Sequence, residues 1–225
     1  MSGTAFDPSG IDPSGAIAEA AEACTRRRFI AGAGGGALLL GMPGAALAKR
    51  AGTADRDTAI LNFALTLEYL QAGFYTEAER MKALKPAAAR TAKVIGGVER
   101  AHVTALRSAL GAKAGKRPFF DFKGATEKDA AFLQAAVAFE DLGAAAYKQQ
   151  LTRITEPAYL SAAASIHTVE SRHAAWIRFL AGVEPAADAL DPPIADADAR
   201  RLVARTGFIR PRPRTTARRS PSFTG

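Results

Sequence analysis

Cysteine is almost absent from this chain of 225 residues. The only one, Cys24, lies near the N-terminus, inside the export signal that we predict below. The rest of the chain then has no cysteine, which excludes structural disulfides and thiolate metal sites. Because no cysteine follows the apolar stretch at residues 31–46, a lipoprotein anchor is not indicated.

Long hydrophobic runs are also missing. The stretch from Ala31 to Ala46 is rich in glycine and too short for a stable membrane span. It follows the sequence T-R-R-R-F-I and precedes Ala46-Leu47-Ala48, so a charged region, an apolar region and an A-x-A site come in the order of a secretory signal. The arginine pair makes this segment similar to a twin-arginine signal.

We therefore expect residues 1–48 to be a removed signal peptide, recognised by the twin-arginine export machinery. The mature protein would begin near Lys49, lack a membrane span and reside in the periplasm or outside the cell. The similarity implies export in a folded state, often with a cofactor already in place. The alternative interpretation of this segment is a basic, disordered N-terminus.

Histidine is scarce as well, with three residues in the whole chain. Two of them belong to Glu-x-x-His pairs, and each pair follows a lone glutamate 30 or 31 residues upstream. The six residues are Glu68, Glu99 and His102, and then Glu140, Glu170 and His173. One pair alone would be a weak motif match, but the repeated pattern is typical of a carboxylate-bridged two-metal centre in a helical bundle.

Apolar residues recur at helical spacing between residues 53 and 184. They predict four helices, at about Asp55–Leu84, Ala87–Leu110, Thr126–Arg153 and Pro157–Gly182, the third beginning with a capping box of Thr126 and Asp129. A connection of about fifteen residues, containing F-F-D-F, separates the two helix pairs. We predict an all-α, antiparallel four-helix bundle in which two hairpins are joined by a long crossover that packs against the bundle. An up-down-up-down bundle with a loose middle loop is the alternative.

Each of the six residues falls on the apolar stripe of its own predicted helix. Burying a lone carboxylate there costs several kcal/mol unless positive charge compensates it, and the stripes contain no Lys or Arg. Two divalent metal ions would supply that charge. Taken singly, each glutamate could instead be hydrogen-bonded and each histidine a satisfied core residue.

At these residues the chain resembles the ferritin-like superfamily of di-iron and di-manganese carboxylate proteins. The segments L-N-F-A-L-T-L-E-Y-L-Q-A-G-F-Y, G-G-V-E-R-A-H, F-F-D-F and V-E-S-R-H are similar to a ferritin-like group that includes desiccation-related proteins. The resemblance implies that Glu68 and Glu140 each bind one metal, that Glu99 and Glu170 bridge the two, and that each histidine caps one. It favours iron, with manganese second, and carboxylate and imidazole ligands suit both metals.

Three further residues are candidates for the surroundings of the metals. Tyr75 and Tyr147 each lie seven residues after a lone glutamate, so either could donate a hydrogen bond to a ligand or act in redox chemistry. Filling of the core is the alternative. His167 lies one helical turn before Glu170. It could orient a ligand or occupy an extra site, or it could be a neighbour of the ligands or a partly exposed residue. Trp176 is interpreted as a core residue.

The C-terminal segment is strongly basic. From Asp191 onward it holds three aspartates and eight arginines, which is five of the eight net positive charges. We predict that residues 191–225 form a disordered Pro/Arg-rich tail without a regular fifth helix. Such a tail could contact an anionic polymer, but no specific nucleic acid is expected as a partner of an exported protein.

Two functional hypotheses follow for the bundle. In the first, two metal ions react with dioxygen or peroxide in an oxidoreductase, ferroxidase or peroxidase reaction. In the second, the protein binds metal without turnover and serves in stress or desiccation. A homo-oligomer is compatible with the sequence, whereas a hollow mineral-storing shell is not expected.

Overall fold

The computed structural model describes residues 44–186 and 188–210. It contains four long helices, one short helix and a small two-stranded sheet. In chain order these are α1 Gly44–Met81, α2 Pro86–Leu110, a 3-10 turn at Gly111–Lys113, β1 Phe119–Phe120, α3 Asp129–Leu151, α4 Pro157–Leu180, α5 Asp196–Thr206 and β2 Ile209–Arg210. The predicted all-α bundle is confirmed. None of the helices within these ranges combines the length and apolarity that crossing a membrane requires.

Hydrogen bonds at the two ends of the bundle establish the helix directions. At one end of the bundle, the buried carboxylate of Asp57 on α1 accepts bonds from the backbone N–H groups of Thr155 and Glu156, just before α4. At the other end, the backbone N–H of Lys85 donates to Asp129 Oδ1, where α3 begins. Helices α2 and α3 therefore run in the same direction. Their connection must travel the length of the bundle, as predicted, and the up-down-up-down alternative is wrong.

The crossover between α2 and α3 lies along α1. Its first part is held by Asn62, whose Oδ1 accepts a hydrogen bond from the backbone N–H of Gly115 (2.7 Å). Its last part is held where the Thr126 hydroxyl donates to Glu77 Oε1 (3.1 Å). Between these two points Gly73 leaves room for the crossover, because a Cβ atom there would lie 3.0 Å from the ring of Phe120.

An aromatic cluster joins the crossover to the bundle. The ring of Phe74 is fully buried, and its centroid lies 5.1–5.4 Å from those of Phe122, Phe132 and Phe139. Phe122 is the last residue of the F-F-D-F run and is 2% exposed. The prediction that this run packs against the bundle is therefore confirmed.

Several predicted boundaries differ from the structure. Helix α1 begins at Gly44 instead of Asp55 and ends at Met81 instead of Leu84, where Lys82 takes a positive φ of 54°. Of the predicted signal peptide, residues 1–43 lie outside the described residues and 44–48 form the first turn of α1. The capping box at α3 is also wrong, because Thr126 and Asp129 bind Glu77 and Lys85 instead of the end of their own helix.

The prediction of a disordered C-terminal tail differs from the structure over residues 191–210. Helix α5 lies in this segment, and its residues Ala199 and Val203 are buried in the core. Strand β2 then pairs antiparallel with β1 in the crossover, and Arg210 forms a salt bridge with Asp121 (2.9 Å). The prediction of disorder was based on the charge of this segment. It overlooked the two apolar residues that are enough to pack α5 against the bundle. Residues 211–225 lie outside the described residues.

Candidate metal centre

The structure brings the six predicted side chains together in the middle of the bundle. They form two groups, and within each group one nitrogen or oxygen atom per residue lies within 4.8 Å of the others. The first group is Glu68, Glu99, His102 and Glu170. The second is Glu99, Glu140, Glu170 and His173. Glu99 and Glu170 belong to both groups, so the arrangement has two adjacent positions that share two carboxylates.

Helix geometry explains why each Glu-x-x-His pair acts as a unit. Residues three apart on a helix project from the same face, so Glu99 and His102 leave α2 together, as Glu170 and His173 leave α4. Helices α1 and α3 each contribute one glutamate from the opposite side. All four carboxylates are completely buried. The imidazoles of His102 and His173 keep 8% and 7% exposure, so the cluster approaches solvent only beside α2 and α4.

The two imidazoles are surrounded by carboxylate oxygens. His102 Nδ1 lies 3.3 Å from Glu68 Oε2, from Glu99 Oε2 and from Glu170 Oε1. His173 Nδ1 lies 2.9 Å from Glu99 Oε1 and 3.4 Å from Glu140 Oε2. Each ring nitrogen thus faces two or three acceptors at once, although a single N–H can point at only one of them.

Most of the buried polar atoms without a hydrogen bond are found in this cluster. Among the described residues, six buried side-chain atoms have no hydrogen-bond partner, and five of them belong to the cluster. These five are Glu68 Oε2, Glu99 Oε1, Glu140 Oε2, Glu170 Oε1 and His173 Nδ1. Leaving such a group unsatisfied costs about 1–3 kcal/mol, and more if it is charged. Metal ions at the two positions would satisfy all five.

Burial and mutual proximity alter the protonation of the metal-free cluster. Burial raises the pKa of Glu68 to about 7 and also raises the pKa of Glu140. Burial opposes the charged imidazolium of His173, but the adjacent carboxylates of Glu140 and Glu99 outweigh it and raise the pKa to about 10. For His102, the Glu68 carboxylate likewise outweighs burial and raises the pKa well above its usual value. Without metal, protons therefore provide the positive charge that the cluster needs.

Two tyrosines extend the cluster by one layer. The hydroxyl of Tyr75 donates to Glu140 Oε1 at 2.5 Å, and the hydroxyl of Tyr147 donates to Glu68 Oε1 at 2.6 Å. Burial and the adjacent carboxylates raise the pKa of both hydroxyls well above 10, so both stay protonated. The interpretation of these residues as hydrogen-bond donors agrees with these contacts.

His167 lies apart from the two groups. It is half-buried on α4, its Nδ1 has no hydrogen-bond partner, and burial lowers its pKa. It contributes no atom to either group. Of the interpretations from the sequence, the partly exposed residue agrees with its position. Trp176 is partly buried against the core, as its core interpretation requires.

One contact of the cluster was missed in the sequence. The amide of Gln71 donates to Glu170 Oε2 at 3.0 Å, and Gln71 is 2% exposed. Gly143 makes the contact sterically feasible, since a Cβ atom there would lie 2.6 Å from Glu170 Oε2. The signal was available, because Gln71 follows Glu68 by three residues and so projects from the same face of α1.

Comparison with known protein families agrees with this arrangement. The profile of a family described as a ferritin-like domain matches residues 56–183. The match covers more than half of the chain, including most of α1, all of α2 to α4 and the six clustered residues. The chain belongs to the ferritin-like domain family. No curated protein matches it significantly.

The ferritin-like bundle thus contains a buried cluster of glutamates and histidines that could hold a metal ion. The family match ends at residue 183, so α5 and β2 lie outside it. Helix α5 packs against α3, and β2 pairs with β1 in the crossover.

Proposed function

We propose that this ferritin-like protein binds two divalent metal ions, iron or manganese, in the cluster that helices α1, α2, α3 and α4 enclose. Glu68 and His102 would hold one ion, and Glu140 and His173 the other. Glu99 and Glu170 would bind both. Oxygen and imidazole nitrogen donors without thiolate suit iron and manganese.

The unpartnered buried atoms carry this proposal. Glutamates are buried in proteins when they are protonated, paired with cations or bound to metal. Within residues 52–186 and 188–210, no salt bridge joins the four carboxylates to Lys or Arg; their only ionic contacts are with the two histidines. Two divalent ions would balance four ionised carboxylates and leave both imidazoles neutral, as metal ligation requires.

We further propose that the loaded site reacts with dioxygen or peroxide. Two bound ferrous ions would supply the two electrons that, with two protons, reduce one hydrogen peroxide to two water molecules. The tyrosine hydroxyls would keep Glu68 and Glu140 oriented, because partners that hydrogen-bond to metal ligands fix their direction. Burial of all four carboxylates excludes bulk water, which strengthens every electrostatic interaction in the site.

Metal content and oxidant response test the two parts of this proposal separately. We expect two metal ions per chain by elemental analysis after anaerobic loading with Fe²⁺. We also expect an absorption change on adding dioxygen or peroxide. Glu99→Ala combined with Glu170→Ala should abolish both, because these two residues belong to both groups. The matched control combines Glu127→Ala with Glu184→Ala, two exposed glutamates, and should keep both.

The possible results have distinct meanings. Fewer than one metal per chain, unchanged in the Glu99 and Glu170 double variant, would overturn the two-metal proposal. Two bound metals without any response to dioxygen or peroxide would overturn the redox part alone. That second result would favour the alternative function, a metal-binding stress or desiccation protein without turnover.

The N-terminal sequence supports a proposal about location. We propose that the twin-arginine machinery exports the protein, on the basis of Arg26 and Arg27 before an apolar stretch and the Ala46-Leu47-Ala48 site. Residues 1–52 fused to a reporter protein should direct its export. Replacing Arg26 and Arg27 by lysine should abolish that export, whereas lysine at Arg56 in the full protein should not. Equal export with and without the arginine pair would refute the proposal.

A further inference from the structure

The cluster has approximate twofold symmetry that follows the sequence repeat. Helix α1 corresponds to α3 and α2 corresponds to α4, so the glutamates, histidines and tyrosines of the cluster in one hairpin have counterparts in the other. The corresponding pairs are Glu68 and Glu140, Tyr75 and Tyr147, Glu99 and Glu170, and His102 and His173. Even the tyrosine bonds correspond, with distances of 2.5 and 2.6 Å.

One contact breaks this symmetry. Three residues after Glu68 the chain has Gln71, whereas three residues after Glu140 it has Gly143. The Gln71 amide donates to Glu170 Oε2 at 3.0 Å. Gly143, at the corresponding position of the repeat, has no side chain with which to donate to Glu99. Of the two shared carboxylates, only Glu170 is therefore held by an amide.

The two oxygens of Glu170 face different positions. Oε1 lies 3.3 Å from Nδ1 of His102 and so faces the group that contains Glu68 and His102. This oxygen has no hydrogen-bond partner. Glu170 belongs to both groups and its Oε1 faces the first, so Oε2, which Gln71 holds, is the oxygen available to the group that contains Glu140 and His173.

We propose that Gln71 is a positioning residue that makes the two metal positions inequivalent. It orients Glu170 Oε2 toward the position of Glu140 and His173, while the position of Glu68 and His102 depends on Oε1, which Gln71 does not touch. Gly143 leaves the space for this bond. The inference rests on the proposed two-metal function and adds an inequivalence that the repeat in the sequence does not contain.

Single-position variants can locate the effect of Gln71. His173→Ala should leave one binding position, that of Glu68 and His102, and His102→Ala should leave the other. In the His102→Ala protein we expect Gln71→Met to lower metal affinity by about 10–100-fold, the usual loss when a partner of a metal ligand is removed. In the His173→Ala protein the same change should alter affinity by less than about threefold, as for independent sites.

Cobalt(II) binding followed by visible absorption provides the measurement, and it does not depend on catalysis. Gln150→Met is the matched control, because Gln150 is equally buried (2%) but donates to Asp196, away from the cluster. It should change neither affinity. Gly143→Ala approaches the same bond from the other side, since its Cβ would lie 3.1 Å from Gln71 Nε2. It should weaken the same position as Gln71→Met.

The results separate this inference from the proposed function. If the unmodified protein binds no cobalt, the metal proposal itself fails. If the protein binds two ions but Gln71→Met weakens both positions equally, or neither, only the inference about Gln71 is refuted. Concordant, position-specific losses in Gln71→Met and Gly143→Ala would support it.

Discussion

The phenolic oxygen of Tyr75 on α1 lies 2.5 Å from Glu140 Oε1 on α3, to which it donates a hydrogen bond. Tyr147 on α3 makes the reciprocal bond to Glu68 on α1, at 2.6 Å. Each hairpin therefore contributes the tyrosine that orients the lone glutamate of the other hairpin. Because both hydroxyls are buried and protonated, they act as donors in this arrangement.

Removing either hydroxyl should weaken metal binding at one position. Tyr75→Phe keeps the ring but removes the donor to Glu140, so we expect roughly 10–100-fold lower affinity at the position that includes His173. Tyr147→Phe should have the same effect at the position that includes His102. Tyr159→Phe is the control, because its hydroxyl donates to the backbone oxygen of Ala109 at 3.5 Å and not to a glutamate of the cluster. Titration with manganese(II) followed by electron paramagnetic resonance measures each loss, and unchanged affinity in both variants would contradict the prediction.

The metal-free protein should lose stability as the pH rises from about 4.5 to about 10. Its folded state binds protons more tightly than its unfolded state, because the folded pKa of Glu68 is about 7 and that of His173 about 10, against usual values of 4.5 and 6.5. The stabilisation from Glu68 is complete below pH 4.5 and disappears as the pH rises through 7. That from His173 is complete below pH 6.5 and disappears as the pH rises through 10.

Metal should reverse this dependence, because ions replace the protons of the cluster. We expect metal binding at pH 7 to release protons and the metal affinity to rise with pH. Thermal unfolding of metal-free and manganese-loaded protein at several pH values tests both statements. The gap between the two melting temperatures should widen toward pH 9, and a gap that narrows would disagree with the proton exchange.

Asp57 should contribute to stability without affecting metal content. Its carboxylate is 1% exposed and accepts bonds from Thr155 N–H, Thr155 Oγ1–H and Glu156 N–H, so it caps the start of α4 from another helix. Asp57→Ala should lower the free energy of unfolding by about 1–3 kcal/mol. Chemical denaturation measures this loss, and elemental analysis should still find the metal content of the unmodified protein. Asp55→Ala, an exposed neighbour, should have little effect.

Phe208 should anchor the C-terminal addition to the bundle. Its ring lies 5.5 Å from that of Phe122 and 6.0 Å from that of Phe139. Phe208→Ala should lower the free energy of unfolding by roughly 2–3 kcal/mol, below the 3–5 kcal/mol of a fully buried phenylalanine. Phe179 is the matched control, because it is 69% exposed and its replacement by alanine should be nearly neutral. Equal effects of the two changes in denaturant titrations would argue against an anchoring role.

Much of the fold could be predicted because helix signals are local. Pro86 and Pro157 stand at the first positions of α2 and α4, and Gly111 takes a positive φ at the end of α2. The length of the middle connection then indicated a crossover. The missed segment, α5, has only two buried apolar residues, Ala199 and Val203. Two apolar residues do not predict a helix from the sequence. They stabilise α5 only because the folded bundle provides an apolar surface against which they pack.

The sequence by itself determined which residues could meet at one centre. A spacing of three places a glutamate and a histidine on the same face of a helix, and this local rule holds before any helix packs. Only the tertiary structure decided how the two halves connect. Antiparallel packing of α1 against α3 brings Tyr75 to Glu140 instead of to its own Glu68, and it sets Gln71 beside Glu170 where Gly143 leaves room. These two contacts join residues that are separated in the sequence by 65 and by 99 positions. Helix periodicity carries no information over such separations.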